Sequence, residues 1–322
     1  MAPKLLSHSL LRVVVDLNQK VFVGFSGGPD SSALLHLVSK VDSKFLGNIK
    51  AIHINHNLSK NSSAWAEHCK DFCSKCNIDL IIESVHINSD GGGIESAARR
   101  ARFEVFKNIL EENNQILLGH HRDDAAETIL MRLLRGTGVE GLNGIKQKRK
   151  LGSGTLIRPF LDISKKEILN YLKDHNINYI EDDSNKVNDF DRNFLRNKIF
   201  PLLDSRWNNF AQRINSMSHI VQERNVNYTN LFLEKYGELV GHKIDINKLK
   251  TLQESLIIDV LRYSINACNL AVPNSKIMKE IVKTFINSDP GPKSQVSWSR
   301  SDKEEPGGSV TYKKGFLLIS KK

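Results

Sequence analysis

Cysteine is scarce in this sequence, and long apolar runs are absent. Four cysteines among 322 residues are too few and too clustered for a disulfide framework, so we expect a reducing compartment. No stretch approaches the ~18 apolar residues that a membrane-spanning helix needs. The N-terminal segment contains the cations Lys4 and Arg12, but it lacks the long apolar core and the small-residue cleavage site of a signal peptide. Residues 5–17 are therefore interpreted as an amphipathic helix. These absences predict a soluble, cytoplasmic protein with no membrane partner.

The sequence also contains no internal repeat at a fixed period and no low-complexity run. With 40% hydrophobic and 25% charged residues, the chain can bury a core and is not a disordered tail. Its length corresponds to about two domains of roughly 150 residues each. The formal net charge of +10 favours a polyanionic partner such as nucleic acid, although many basic proteins have no such partner.

Short apolar runs alternate with longer amphipathic segments through the first half of the chain. The runs at 21–25, 49–54, 80–85 and 115–119 predict strands, and the segments at 31–40, 62–76, 95–112 and 123–135 predict helices. This alternation predicts an α/β fold, a doubly wound parallel sheet with helices on both faces. Ligands bind such sheets at the carboxyl ends of the strands, so functional residues are expected just after them.

The second half of the chain is predicted to be mostly helical. Residues 136–155 are interpreted as a loop, and the Ser164-x-x-Glu167 spacing is typical of a capping box that starts a helix reaching about residue 175. A polar turn at 182–191 precedes a helix at 192–203, and 316–319 is a predicted strand. We divide the chain into a catalytic domain at 1–205, a helical linker at 206–240 and a smaller α+β domain at 241–322.

A glycine-containing loop joins the first strand to the first helix. Its glycines allow close backbone approach to an anion, the helix N-terminus supplies free N–H groups, and two hydroxyls add donors. It lacks the Gly-Lys-Ser/Thr ending of a Walker A loop and the spacing of a dinucleotide fingerprint. The residues of this candidate phosphate loop are Ser26, Gly27, Gly28, Pro29, Asp30 and Ser31.

The order of these six residues resembles the SGGxDS loop of the N-type ATP pyrophosphatases, also called PP-loop enzymes. The resemblance implies an adenine nucleotide α hydrolase-like fold and cleavage of ATP between its α and β phosphates. It also implies that Asp30 helps to hold Mg²⁺ and the phosphates, or lies close to the reacting centre. Synthetases of small molecules and several tRNA-modifying enzymes share this loop, so the loop alone leaves the substrate open.

A second polar cluster follows the fourth predicted strand. His120 and His121 could contact phosphate or stabilise developing charge, although adjacent histidines at a strand end are often ordinary surface residues. Asp124 and Glu127 are three residues apart and are expected to share one helix face. Two carboxylates there could receive an ammonium group or a metal, or could simply favour the helix N-terminus.

The second cluster resembles the LGHHxDDxxET motif of tRNA(Ile)-lysidine synthetases. Further segments match that family in order and spacing, strongly over residues 21–203 and weakly beyond. They are Ile52–Leu58, Glu95–Phe103 with its Ala-Arg and Arg-Phe pairs, Arg158–Leu161, Asp183–Asn185 and Arg192–Arg196.

The resemblance implies a ligase that first adenylates the C2 oxygen of the wobble cytidine in a CAU-anticodon tRNA(Ile). Free L-lysine then attacks that carbon, forming lysidine and releasing AMP. It implies ATP, Mg²⁺, this tRNA and lysine as ligands, with a homodimer as a plausible assembly. The implied catalytic residues are Asp30, Arg102, His120 and His121, and His53 joins the phosphate loop in binding ATP.

The remaining implied contacts concern lysine, phosphate and tRNA. Asp124 and Glu127 are assigned to lysine. A planar guanidinium can bind phosphate or carboxylate through two hydrogen bonds, so Arg102, Arg192 and Arg196 are candidate clamps, or surface ion pairs. Basic residues at 146–150 would neutralise tRNA phosphates, or form a solvated loop; they are Lys146, Lys148, Arg149 and Lys150.

Several features leave alternatives open. Ala125 stands where the family often has Gln, and Ser59-Lys60 where Leu is commonly followed by Arg. A tRNA 2-thiolation enzyme of the same superfamily would need a Cys-x-x-Cys pair near the Ala-Arg helix. Cys73 and Cys76 have that spacing but precede it by a whole strand, and with Cys69 they form a helical stripe predicted to face the core. A glutamine-dependent synthetase and an RNA-binding protein with an inactive loop are further alternatives.

Overall fold

The computed structural model describes residues 11, 14–56, 62–87, 93–182, 187–299 and 306–322. The chain forms two compact units, one of Met1–Ile87 with Ala101–Arg224 and one of Asn88–Arg100 with Asn225–Lys322. Most of the predicted helix at 5–17, the motif positions 57–60 and the triplet 183–185 lie outside the described residues. The division proposed at 205 and 240 stays a prediction.

The first unit is built on a six-stranded sheet in the order β3-β2-β1-β4-β6-β5. Its strands are β1 Val21–Gly24, β2 Ile49–Asn55, β3 Asp79–Ser84, β4 Gln115–Leu117, β5 Lys148–Leu151 and β6 Gly154–Ile157. Every neighbouring pair is parallel except β5 with β6, which is antiparallel. The four predicted strands are confirmed, each within two residues at its ends.

Helices follow the strands in the predicted order. They are α1 Pro29–Ser39, α2 Ser43–Leu46, α3 Ser62–Cys76, α4 Ile94–Ile109, α5 Arg122–Leu134, α6 Lys165–Asp174, α7 Asp191–Phe194, α8 Phe200–Arg206 and α9 Phe210–Tyr236. The capping box at the start of α6 is confirmed, since Glu167 N donates to Ser164 Oγ and the Glu167 carboxylate accepts from Ser164 N. Among the described residues, no helix is both long and apolar enough to cross a membrane.

Alternate residues of β1 pack into two different cores. Val21 and Val23 belong to a cluster with Leu34 of α1, Cys69 of α3 and Ile168 of α6. Phe22 lies in another cluster with Phe103 and Phe106 of α4. Because successive side chains of a strand point to opposite faces, helices cover both faces of this sheet. The doubly wound fold is therefore confirmed.

Two local predictions need correction. Residues 148–155, placed in a loop, belong instead to an antiparallel hairpin at the sheet edge, with strands at 148–151 and 154–157. The strand Lys148–Leu151 carries three cations and one apolar residue, so its sequence lacks the alternation of polar and apolar residues that marks a strand. An edge strand tolerates so many charges because they protect its free edge from pairing with other chains. The helix predicted at 192–203 contains a π turn at Leu195–Ile199 that the sequence did not reveal.

The second unit contains an antiparallel sheet in the order β7-β10-β9-β8. Its strands are β7 Lys243–Asp245, β8 Gln295–Ser297, β9 Gly308–Lys313 and β10 Phe316–Lys321, and its helices include α10 Ile246–Lys250, α11 Glu254–Ala267 and α12 Ser275–Phe285. Leu261, Phe285 and Leu317 are fully buried in one core. The predicted α+β character and the predicted strand at 316–319 are confirmed.

Candidate active site

The phosphate loop folds back on itself between β1 and α1. Ser31 Oγ donates to the Gly28 carbonyl at 3.0 Å and accepts from Ser26 N at 3.2 Å. Ser26 Oγ lies 3.0 Å from Ser31 Oγ and accepts from Gly28 N at 3.3 Å. Pro29 begins α1, where a missing N–H costs nothing. The two serine side chains thus fix the backbone beside a helix N-terminus, a geometry that favours anion binding.

Two glycines are required by close approach. Gly27 has φ +80°, and an added Cβ would lie 2.7 Å from Ile180 Cδ1, whose residue also donates its backbone N–H to the Gly27 carbonyl. At Gly119, just after β4, an added Cβ would lie 2.9 Å from the Asp30 backbone. The absence of a side chain at Gly119 therefore lets the segment that carries the two histidines touch the phosphate loop.

His53 lies behind the loop. It is buried, and its Nδ1 lies 3.0 Å from the Phe25 carbonyl and 3.5 Å from Cys69 Sγ. Burial lowers the pKa of His53, while the Phe25 carbonyl opposes that shift. His53 therefore supports the last residue before the loop. Its predicted contact with ATP stays a prediction.

His121 joins the loop to the second cluster. It caps α5, accepting from Asp124 N at its Nδ1, while His121 N donates to Asp124 Oδ2 at 3.0 Å. Its Nε2 lies 3.6 Å from Asp30 Oδ1 and 3.5 Å from Asp124 Oδ2, and its Nδ1 lies 3.5 Å from Asp123 Oδ2. Burial disfavours the protonated ring, but the carboxylates outweigh burial and raise the pKa of His121. One imidazole therefore lies among three carboxylates.

Asp124 and Glu127 share a face, as predicted, and two arginines bind both of them. Arg192 donates from Nε to Glu127 at 2.7 Å and from Nη2 to Asp124 at 3.1 Å. Arg196 donates to Glu127 at 2.7 and 2.9 Å and to Asp124 at 3.2 Å. We call these four residues the charge quartet. It carries equal numbers of positive and negative groups.

Burial makes the quartet electrostatically strong. The Glu127 side chain is 1% exposed and that of Asp124 is 11% exposed. Burial alone would raise the pKa of Asp124, but His121 and Arg192 hold it well below its usual range. Burial alone would lower the pKa values of Arg192 and Arg196, yet the carboxylates raise both. Asp124, Arg192 and Arg196 are therefore held in their charged forms.

Lys165 and Arg158 contact predicted site residues and were not assigned by sequence reasoning. Lys165 Nζ donates to Asp30 Oδ1 at 2.6 Å, and Lys165 N donates to Asp123 Oδ2 at 2.8 Å. The buried Arg158 donates from Nε to His120 Nδ1 at 3.2 Å. Since a guanidinium has no acceptor, Nδ1 of His120 must accept and a proton must lie on its Nε2. The sequence feature that could have identified Lys165 is its place in the first turn of a predicted helix, where the helix dipole disfavours a positive charge.

The other predicted site residues lie elsewhere in the first unit. The Arg102 guanidinium lies 5.9 Å from the Phe103 ring centroid. Together with burial, its charge lowers the pKa of His56 at the end of β2. Lys148 and Lys150 are exposed on β5, and the guanidinium of Arg149 stacks 5.3 Å from the same Phe103 ring. Lys146 is exposed just before the strand, and its carbonyl accepts from Arg158.

Asp30 is the predicted metal ligand. No group of three or more His, Cys, Asp or Glu side chains in the described ranges could hold a metal ion by itself. Mg²⁺ in phosphate-transfer sites is usually bound by one or two carboxylates together with substrate phosphates. The Asp30 carboxylate is 29% exposed at the loop, so its chemistry fits a metal shared with phosphate.

Known proteins include relatives that are similar to this chain in sequence. A 34% identical relative, the tRNA(Ile)-lysidine synthase of Legionella pneumophila (strain Lens), matches over 88% of this chain and 65% of its own length. The tRNA(Ile)-lysidine synthase of Pseudomonas fluorescens (strain Pf0-1) is 44% identical over 58% of this chain and 42% of its own. The chain thus spans less than two thirds of the length of these relatives.

A solved structure has the same fold. The U34-tRNA thiolase of Methanococcus maripaludis, determined with its 4Fe-4S cluster, has a TM-score of 0.53 and 18% identity, covering 68% of this chain and 78% of its own. The sequence profile described as the PP-loop domain matches residues 5–203, which include the phosphate loop and every residue of the charge quartet. Because that match covers more than half of the chain, the chain belongs to the PP-loop domain family.

Proposed function

We propose that this protein is a ligase that adenylates the wobble cytidine of a CAU-anticodon tRNA(Ile) and joins L-lysine to it. Lysidine forms, AMP and pyrophosphate are released, and codon specificity changes from AUG to AUA. The observation that carries the proposal is the position of His121. Its Nε2 lies 3.6 Å from Asp30 on the phosphate loop and 3.5 Å from Asp124 in the charge quartet. This position supports the proposal because it brings the phosphate loop and the charge quartet, the proposed phosphate and amine sites, next to each other.

The phosphate loop serves the first step. The C2 oxygen of cytidine attacks the α phosphate of ATP, and the bond to the β phosphate breaks to release pyrophosphate. Loop N–H groups and the serine hydroxyls bind the phosphates, with Mg²⁺ held by Asp30. When bound, Mg²⁺ neutralises phosphate charge as a Lewis acid. His120, fixed by Arg158 with a proton on Nε2, is a donor for an anionic oxygen.

The charge quartet serves the second step. Free lysine carries one carboxylate and two ammonium groups, and the quartet offers two guanidiniums and two carboxylates. We assign the ammonium groups to Asp124 and Glu127, and the carboxylate to Arg192 and Arg196. Because these four side chains are paired with one another in this structure, the assignment requires their ion pairs to open when lysine binds. The ε-amine attacks C2 after losing a proton, and the C2–O bond breaks to release AMP. Fixed charges of both signs orient the amine before reaction.

The tRNA is assigned to basic surfaces. Lys146, Lys148, Arg149 and Lys150 would contact its phosphates at the sheet edge, with Arg102 as a further clamp on phosphate. We assign the α+β domain at 241–322 to the tRNA body and 206–240 to a helical linker. Cytoplasmic location and a homodimer remain part of the proposal.

Burial of the cysteines favours lysine transfer over thiolation. Cys69 and Cys73 lie in the core against β1, and burial raises the pKa of both thiols to about 12. Burial also raises the pKa of Cys76. A thiolation enzyme needs reactive or cluster-binding thiolates, and thiols that face a core do not supply them.

Lysine transfer is testable directly. The protein is incubated with ATP, Mg²⁺, radiolabelled lysine and an unmodified CAU-anticodon tRNA(Ile) transcript, and acid-precipitable label is counted. We expect ATP-dependent labelling that falls at least a hundredfold in Asp30→Asn and in Asp124→Asn. Asp79→Asn is the matched control, since that carboxylate is 80% exposed on β3.

The outcomes separate the alternatives. Label that depends on ATP and on both aspartates supports the proposal. Folded protein that binds the transcript and transfers no lysine would refute it; thiolation is then measured with a sulfide donor. Equal losses in all three variants would refute the site assignment while leaving the activity.

A further inference from the structure

Lys165 is placed where helix energetics disfavour a cation. It is the first residue of α6, where the aligned peptide dipoles repel positive charge. A local rule broken in this way is expected at functional sites. The next residue, Lys166, is also a lysine but is exposed, so it provides a matched control for Lys165. In this structure the Asp30 carboxylate compensates the charge of Lys165 for the unfavourable dipole.

The start of α6 is fixed against the second cluster by several bonds. Lys165 N donates to Asp123 Oδ2 at 2.8 Å, and Arg122 N donates to the Ile163 carbonyl at 2.9 Å. The Arg122 guanidinium also bonds to the Asp162 carbonyl. The backbone of Lys165 is thus held beside Asp123, and its side chain reaches the phosphate loop. Its Nζ lies 2.6 Å from Asp30 Oδ1.

Asp30 supplies a carboxylate to a loop that otherwise offers backbone N–H groups and two serine hydroxyls to an anion. The Lys165 side chain is 34% exposed, so its ammonium group is open to a ligand on the loop. An ammonium has three donors, and one bond to Asp30 leaves two for phosphate oxygens. A triphosphate seated on the loop would bring about four negative charges to this cation.

We propose that Lys165 is an ATP-binding residue that holds Asp30 in the nucleotide-free protein and contacts the β or γ phosphate when Mg²⁺–ATP binds. This inference rests on the proposed use of ATP and adds a residue to that site. In the same position, the ammonium group stabilises the charge that develops on pyrophosphate as it leaves.

The test measures binding, not turnover. Affinities for α,β-methylene-ATP with Mg²⁺ and for AMP are measured by calorimetry in the full chain, without tRNA or lysine. We expect Lys165→Met to weaken analogue binding about tenfold to a hundredfold, the effect of losing one hydrogen bond to a charged group. AMP lacks the β and γ phosphates, so its affinity should change less than twofold. Lys165→Arg should recover part of the loss, and Lys166→Met should behave as the unaltered protein.

A double variant distinguishes a direct contact between Lys165 and phosphate from an indirect effect, in which Lys165 only neutralises the negative charge of Asp30. If Lys165 contacts phosphate itself, Lys165→Met should still weaken analogue binding when Asp30→Asn is also present. Loss of the effect in that background would overturn the proposal, as would a change below twofold or an equal loss for AMP. Unaltered protein that fails to bind the analogue would overturn ATP use as well. A failure of lysine transfer alone leaves this binding test intact.

Discussion

Replacing Glu127 with Gln tests whether the charge quartet is one energetic unit. The Glu127 carboxylate accepts three hydrogen bonds from Arg192 and Arg196, at 2.7, 2.7 and 2.9 Å. Its side chain is 1% exposed, so water cannot replace those bonds. The substitution conserves shape but leaves two guanidiniums facing the single charge of Asp124.

The expected loss follows from burial. Removing one partner of a buried ion pair costs about 3–5 kcal/mol. The arginine side chains are 27% and 38% exposed, so solvent screens part of their unpaired charge. We therefore expect Glu127→Gln to lower the free energy of unfolding of the first unit by about 2–3 kcal/mol. Urea unfolding followed by far-UV circular dichroism measures it.

Glu104→Gln is the matched control. Glu104 accepts from Lys107 at 2.7 Å, the same distance as in the quartet, but its side chain is 61% exposed. Exposed pairs contribute about 0–1 kcal/mol. The two variants make the same chemical change, one at a buried carboxylate with two arginine partners and one at an exposed carboxylate with a single lysine partner. Equal losses in both, or a loss below about 1 kcal/mol for Glu127→Gln, would refute the reasoning.

Three further predictions concern pH, packing and salt. Burial, with the charges of Lys40 and His175, lowers the pKa of His36 from 6.5 to about 4. The stability that the neutral ring contributes to the folded state is therefore complete above pH 6.5, and it is lost as the pH falls from 6.5 towards 4. Between pH 6.5 and 4, the free energy of unfolding of His36→Phe should therefore fall by about 2 kcal/mol less than that of the unaltered protein, as measured by thermal unfolding at each pH. Gly119→Ala should weaken binding of an ATP analogue about tenfold or more, because the added Cβ would lie 2.9 Å from the Asp30 backbone. The double change Lys148→Ala with Lys150→Ala should weaken tRNA binding and reduce the slope of log affinity against log salt by about 1–2.

Each prediction has a control and a refuting result. An unchanged pH dependence in the His36 variant would show that another group titrates. Gly47→Ala adds a Cβ with no atom within 4 Å, so analogue binding lowered equally by it would exclude contact with Asp30 as the cause. Lys70→Ala with Lys75→Ala removes two exposed cations from α3; an equal change in salt slope would show a general charge effect.

Local sequence determined much of the fold and the outline of the site. The phosphate loop could be predicted because its conformation depends on adjacent residues, a strand, two glycines and a helix N-terminus. The capping box of Ser164 and Glu167 and the shared face of Asp124 and Glu127 depend on spacings of three residues. The hairpin at 148–157 could not be predicted, because its first strand is nearly all cationic and gains its place from pairing with β6.

Tertiary structure decided which charged groups meet. Arg192 and Arg196 bind carboxylates 65 to 72 residues earlier in the chain, and Lys165 binds Asp30 across 135 residues. No local pattern specifies such pairs, because an ion pair depends on where the whole chain brings two side chains and on how much water they lose there. The sequence by itself determined that a phosphate loop follows the first strand and an acidic cluster follows the fourth, and only the folded sheet places those two strands side by side. Packing around Gly119 and His121 decided that the loop and the cluster contact each other.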